Sequence, residues 1–371
     1  MANVYNLNGN AIIDGADIRA VNFNFSSLVN ILTANSGHVT YSSASEILAR
    51  EGVLQYVGAI CVNKKIYCCP NSSDHILVYD TVKEQTYFIA KGLGTNQFKW
   101  TGLVCYDGFI YTIPRGVNAM LRIDPITDDV RIIELGTNYA VNPYGNYKDS
   151  HHYNGVISDS GYLYCPPTYY SYPTCDKLLK INMSDFTWEE LSFPIGCSGA
   201  VKHPTEDKIF FMASSKFILW DCATDTYEEI TTGLSNCFDM IHDPRYPNYM
   251  IGVYGSGAFA YNMTNKSITT LSMQDSSVGY GITLGLDGNY YHFDSGKVLS
   301  FSFNGSTLTE AQSHLSYTTS GTTPYCAGQA IDNDGNIYGV PASGGFVKLA
   351  ASGVVSKLPD YIVSSQYYGE Y

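Results

Sequence analysis

Two stretches of this chain repeat one another at a distance of 44 residues. Residues 62–92 read VNKKIYCCPNSSDHILVYDTVKEQTYFIAKG, and residues 106–136 read YDGFIYTIPRGVNAMLRIDPITDDVRIIELG. Tyr67 aligns with Tyr111, Pro70 with Pro114 and Asp80 with Asp124, all offset by 44, and upstream Tyr56-Val57-Gly58 aligns with Trp100-Thr101-Gly102. A small residue followed nine positions later by an aromatic is the hinge of the unit. It recurs as Gly58/Tyr67, Gly102/Tyr111, Gly155/Tyr164, Gly199/Phe210, Asp239/Tyr249, Gly281/Tyr290 and Gly328/Tyr338. The fifth copy lacks the glycine. Seven copies span 270 residues in six steps, a mean period of 45.

Each unit holds four strand-like runs, in the second GLVCY, FIYTIP, AMLRID and VRIIEL. β-Branched and aromatic residues fill them, as half-buried pleated surfaces require. Asp107-Gly108, Asp287-Gly288 and Asp334-Gly335 are tight-turn signals, because glycine accepts positive φ without steric cost. A four-stranded unit repeated at this interval predicts an all-β fold, a seven-bladed β-propeller. The ring is expected to begin at residue 54 and to carry a C-terminal tail to residue 371, with a short N-terminal extension over residues 1–53. Blades converge on an axis, so the recurring glycine is read as the point of closest approach, and the aromatic as packing between blades.

The extension does not follow the repeat. VYNLNGNAIID reads as a hairpin around Asn8-Gly9, and VNFNFSSLVNIL alternates before turning apolar. SSASEILAREG reads as a short helix with serine caps and a glycine stop. Four runs are already present in the first and last units, so closure without strand exchange is expected. Residues 1–53 are read as an attachment segment.

The net charge of −13 argues against nucleic acid as a partner, since phosphate binding needs clustered Lys and Arg. No apolar run reaches membrane-crossing length, so no membrane insertion is expected. MANVYNLNGN lacks the features of a signal peptide, which points to synthesis in a cytoplasm. The ten cysteines are scattered without a CxxC pair and read as reduced core thiols. No cofactor and no metal are expected. The triplets Asn262-Met263-Thr264 and Asn304-Gly305-Ser306 are read as chance matches to a glycosylation signal.

Tyrosine is the compositional outlier, 32 residues of 371. Its rigid amphipathic ring suits binding surfaces, although β-rich chains favour it for packing too. The richest connections are NYAVNPYGNYKDSHHYNG (138–155) and PPTYYSYPTCDK (166–177). Long loops on a rigid scaffold commonly carry function, so the candidate ligand-binding residues are Trp100, Tyr144, Tyr147, Asp149, His151, His152, Tyr153, Tyr169, Tyr170 and Tyr172. A metal held by Asp149, His151 and His152 is disfavoured, because adjacent strand residues point to opposite faces. Asp332-Asn333-Asp334-Gly335-Asn336 departs from a calcium loop in its glycine position and reads as a hairpin turn. Lys99, Arg115, Arg122 and Arg245 form a weaker anion-binding set, each more often solvated or ion-paired.

The pattern GxxxxxDGxIYxxP…LRIDPxT and the stretch DNDGNIYGVPASGGFVKLAASG resemble blades of Kelch-like, NHL-like and streptogramin-lyase-like propellers. The Gly-Gly and Trp signature of Kelch blades is absent, and no position matches the lyase's catalytic histidine, so neither activity carries over. The opening MANVYNLNGNAIIDGADI, with a Tyr/Asn/Ser/Gly-rich body, resembles bacteriophage tail or baseplate appendages. That resemblance implies a receptor-binding protein of the virion. It would recognise a host-surface glycan or protein and contact other virion proteins through residues 1–53. Homo-oligomerisation stays open.

The expected function is therefore non-enzymatic binding. The first alternative is a polysaccharide lyase or glycoside hydrolase at the channel, for which two carboxylates about 5–10 Å apart would be needed. The second is an intracellular Kelch-like scaffold.

Overall fold

The computed structural model describes residues 3–7, 10–14, 25–48, 56–95, 99–136, 155–167, 177–273, 281–294, 296–310, 315–318, 326–341 and 345–358. Seven antiparallel sheets follow one another in chain order. Blade one comprises Tyr56–Val62, Lys65–Pro70, Ile76–Asp80 and Gln85–Ile89. Blades two to six span residues 100–134, 156–192, 199–231, 237–272 and 283–316. In blade six a short fifth strand, Leu315–Ser316, also pairs with the third strand. The expected seven-bladed propeller is the fold observed.

Blade seven departs from expectation. Its first three strands are Cys326–Ile331, Ile337–Pro341 and Phe346–Ser352, but its fourth is Thr40–Leu48 from the N-terminal extension. The pairing runs from Thr40 opposite Ser352 to Leu48 opposite Phe346, with two register shifts. The ring thus closes by strand exchange, and residues expected to form a helix form a strand instead. The Ala, Glu and Leu of that segment favour a helix only weakly, and an open strand edge on blade seven outweighs them. The one helix among the described residues is Phe25–Asn35. Its Leu28 and Leu32, one turn apart, are buried in the core shared by blades five, six, seven and one.

Asn35 ends that helix and is fully buried. Its amide donates to the Ser356 carbonyl at 2.6 Å, and its Oδ1 accepts the Val355 and Ser356 N–H groups at 2.8 and 3.0 Å. Farther along, Asn333 Nδ2 donates to the Leu358 carbonyl. The segment after blade seven is therefore held between the helix and a blade-seven turn. The hairpin Asn3–Leu7/Asn10–Asp14 forms its own two-stranded sheet, as its Asn-Gly sequence predicted.

The core lies between blades rather than within one. Ile60, Tyr67 and Val78 of blade one pack with Leu103, Ile110 and Leu121 of blade two, and similar clusters join two to three, three to four and four to five. Polar contacts add order to the junctions. In blades one to five, the residue four places after the aspartate or asparagine that opens the last turn has positive φ: Glu84, Asp128, Phe186, Asp225 and Lys266. That geometry meets the preceding blade. Asp128 accepts hydrogen bonds from Lys65, Tyr67 and Tyr87. Asp225 accepts from Tyr164 and Lys180. Lys266 pairs with Glu228, Glu84 with Lys348 of blade seven, and Phe186 lies 6.0 Å from the Tyr111 ring. The hinge aromatics do pack between blades.

Candidate functional site

Strand order fixes two faces. The four strands of a blade are antiparallel and the innermost comes first, so blade-to-blade connections and the loops between second and third strands share one face, here the entry face. The turns between first and second strands, and between third and fourth, lie on the other.

Connection length singles out blade three on the entry face. From Glu134 to Val156 there are 21 intervening residues, against 10, 6, 5, 10, 9 and 7 at the other six junctions, the 9 counted from the fifth strand of blade six. From Cys165 to Lys177 there are 11, against five or fewer for the same loop elsewhere. Both long segments therefore leave one blade on one face. Tyr144, Tyr147, Asp149, His151, His152, Tyr153, Tyr169, Tyr170 and Tyr172 all lie within them, outside the described residues. Trp100 is described and is a core residue: 4% exposed, it donates its indole N–H to the Ala119 carbonyl at 2.8 Å.

Of the basic residues considered for anion binding, the side chains of Lys99, Arg122 and Arg245 are engaged elsewhere. Lys99 is buried and donates to the Ser73 and Gly94 carbonyls. Arg122 lies over the Phe109 ring at 3.6 Å, and Arg115 is half-buried with its backbone N–H on the Lys99 carbonyl. Arg245 pairs with Asp243 at 2.6 Å and donates to the Gly288 carbonyl. Asp332 accepts hydrogen bonds from Asp334, Asn336 and Tyr338 in a closed turn, as the hairpin reading required.

The hub is built differently on its two sides. Where blades seven, one and two meet, backbones touch: a Cβ on Gly328 would lie 2.6 Å from Gly58 Cα, and one on Gly58 would lie 3.2 Å from Gly102 Cα. From blade four to blade seven, side chains make the links. Ser198 Oγ donates to the Cys237 carbonyl. Asp239, standing in the glycine position of blade five, accepts the Met240 N–H at 2.9 Å and the blade-six Ile282 N–H at 3.3 Å. The other end of that same peptide, the Gly281 carbonyl, accepts Gln329 Nε2 of blade seven at 2.8 Å. His292 Nδ1 sits 2.7 Å from the same oxygen. A carbonyl only accepts, so Nδ1 carries the proton. Thr283 Oγ1 bonds Gln329 Oε1 at 3.0 Å.

One peptide unit, 281–282, is thus gripped at its N–H by Asp239 and at its oxygen by Gln329 and His292. Asp239 retains some exposed surface, yet the density of protein around it raises its pKa to about 7, against the lowering effect of the Met240 and Ile282 N–H groups. Burial lowers the His292 pKa, opposed by the Gly281 carbonyl and Asp294, so the imidazole is held neutral. Asp239 is the third residue of its strand, Cys237–His242, which places it toward the entry face. The missing glycine marked this position in the sequence, whereas nothing there singled out His292 or Gln329.

No protein-family model matches this chain, and no curated protein matches it. Solved structures do. The extracellular domain assigned to a one-component system of B. thetaiotaomicron superposes with a TM-score of 0.59 at 12% identity, over 84% of this chain and 40% of that one. This chain therefore spans well under half of that protein's length. Kuenenia stuttgartiensis hydrazine synthase gives a TM-score of 0.60 at 11% identity, over 82% and 97% of the two chains. A chain of the mitotic checkpoint complex gives 0.62 at 10%, over 83% and 93%. The likeness is one of fold. A signalling system, a synthase and a checkpoint assembly share it, so it carries no activity.

Proposed function

We propose that this chain is a non-enzymatic binding propeller that recognises a glycan or protein on a host surface. Further, we propose that it is borne on a bacteriophage tail or baseplate, with its N-terminal segment docking on other virion proteins. The supporting observation is the asymmetry of the ring: both of its unusually long connections open on the entry face at blade three, and together they carry seven tyrosines. Tyrosine faces stack on sugar rings, while Asn and Asp accept hydroxyl hydrogen bonds. An extracellular domain among the fold neighbours is compatible with this reading.

A glycan array probed with the full chain and with a Tyr169→Ala, Tyr170→Ala variant tests it. The expected result is selective binding by the parent and loss in the variant. Equal binding by both would remove the blade-three loops from the account. Release of product from a polysaccharide would favour the lyase or hydrolase alternative instead.

A further inference from the structure

Six of the seven hub positions carry glycine and one carries a carboxylate. That exception is Asp239, on the strand of blade five nearest the axis and toward the entry face. Its carboxylate accepts two backbone N–H groups, from Met240 and from Ile282. A carboxylate offers about four acceptor sites, so roughly half its capacity remains. Among the described residues no cation pairs with it. The neighbours that meet it are the Met240 and Ile282 amides and, behind the 281–282 peptide, the neutral His292 with Asp294 acting on that ring. The Cβ that Gly252 lacks would fall 2.6 Å from the Asp239 carbonyl oxygen, so the second strand of the blade lies close against this one.

An ionised carboxylate in dense surroundings with no counter-charge is costly. Two compensations are available, uptake of a proton and a cation from outside. We propose that the hub is a second contact point of the entry face, where Asp239 takes a primary ammonium group presented by the ligand. This rests on the binding reading above and adds a chemical class to it. The ammonium nitrogen donates to the free lone pairs of Asp239, with the 281–282 peptide holding the carboxylate in place through its own N–H. Protonation of Asp239, which titrates near neutrality, withdraws the charge, so capture is strong above pH 7.5 and fades in acid.

The test is calorimetric titration of the full chain with methylammonium, whose charge persists at pH 8, and with methanol as the neutral counterpart. A charge-assisted hydrogen bond of this type changes affinity about tenfold or more. Methylammonium should bind at pH 8 in preference to methanol, weaken at least tenfold at pH 5.5, and weaken similarly at pH 8 in Asp239→Asn. Glu190→Gln, on the outer strand of blade three, should bind like the parent. Nα-acetyl-lysinamide and glucosamine, compared at pH 7.5, distinguish a protein ligand from an amino sugar. No ammonium binding, no pH dependence in the parent, or unchanged binding in Asp239→Asn would each overturn the proposal. The parent's pH profile decides even where the variant folds poorly. None of these outcomes depends on Tyr169 or Tyr170, so the hub and the loops fail separately.

Discussion

The Tyr41 hydroxyl donates to the Gly335 carbonyl at 2.7 Å across 294 residues of sequence. The same oxygen accepts the Leu286 N–H of blade six at 3.2 Å, and the ring lies 4.7 Å from that of Tyr291. One side chain of the N-terminal strand therefore joins turns of blades six and seven. The ring is locked at its closing blade by a residue that reads, in sequence, as part of an appendage.

Deletion through residue 53 should consequently damage the ring, not merely detach it. It removes the fourth strand of blade seven and the helix whose Leu28 and Leu32 complete the core. A shorter deletion, of residues 1–24, should leave a cooperatively folded ring. Circular dichroism melts of both compare them: the shorter form should retain a sharp transition and the longer one lose it.

At the junction of blades one and two, Asp128→Ala should destabilise by about 1–3 kcal/mol in urea unfolding. It strands Tyr67 and Lys65 and removes the acceptor of Tyr87. Asp128→Asn should cost less, since asparagine tolerates the φ of 61° at this position and keeps one acceptor oxygen.

Glycine substitutions should separate packing from backbone strain. Gly328→Ala sets a methyl against Gly58 backbone atoms at 2.6–2.9 Å, where no side chain can move aside. Gly37→Ala meets nothing within 4 Å and bears only the strain of its φ of +75°. The first should lower the melting temperature much more than the second, overpacking costing about 1–3 kcal/mol or more.

The pH dependence of stability follows from Asp239. Its folded pKa of about 7 exceeds the ordinary carboxylate value of about 4. Between those values the folded state holds the extra proton, so this group's stabilisation is complete below about pH 4 and is lost as pH rises through 7. Melting curves from pH 5 to 8 should fall more steeply for the parent than for Asp239→Asn. Parallel curves would contradict the assignment.

The period and the hinge made the blade count and the inter-blade aromatics legible, because both follow from strand spacing alone. Strand exchange leaves a signal in the sequence too. Asp80, Asp124, Asn182, Asp221, Asn262 and Asn304 each open the last turn of blades one to six and accept a backbone N–H two residues on. The third strand of blade seven ends in Ser352-Gly353 with no such residue, because no turn to a fourth strand follows. SSASEILAREG reads as a helix because its local propensity favours one, while the partner of Thr40–Leu48, Phe346–Ser352, lies as far as 312 residues away. The hub network escaped for the same reason: Asp239, His292 and Gln329 converge on one peptide only after three blades assemble.

Ring closure by the N-terminal strand is the structural claim on which the faces, the hub and the loops depend. Thr40 and Ser352 face one another in register, their hydroxyl oxygens 2.8 Å apart. A Thr40→Cys, Ser352→Cys variant, oxidised and analysed by non-reducing electrophoresis and peptide mapping, tests it directly. The account predicts a crosslink within one chain and a raised melting temperature. No crosslink, or one found only between two chains, would contradict it.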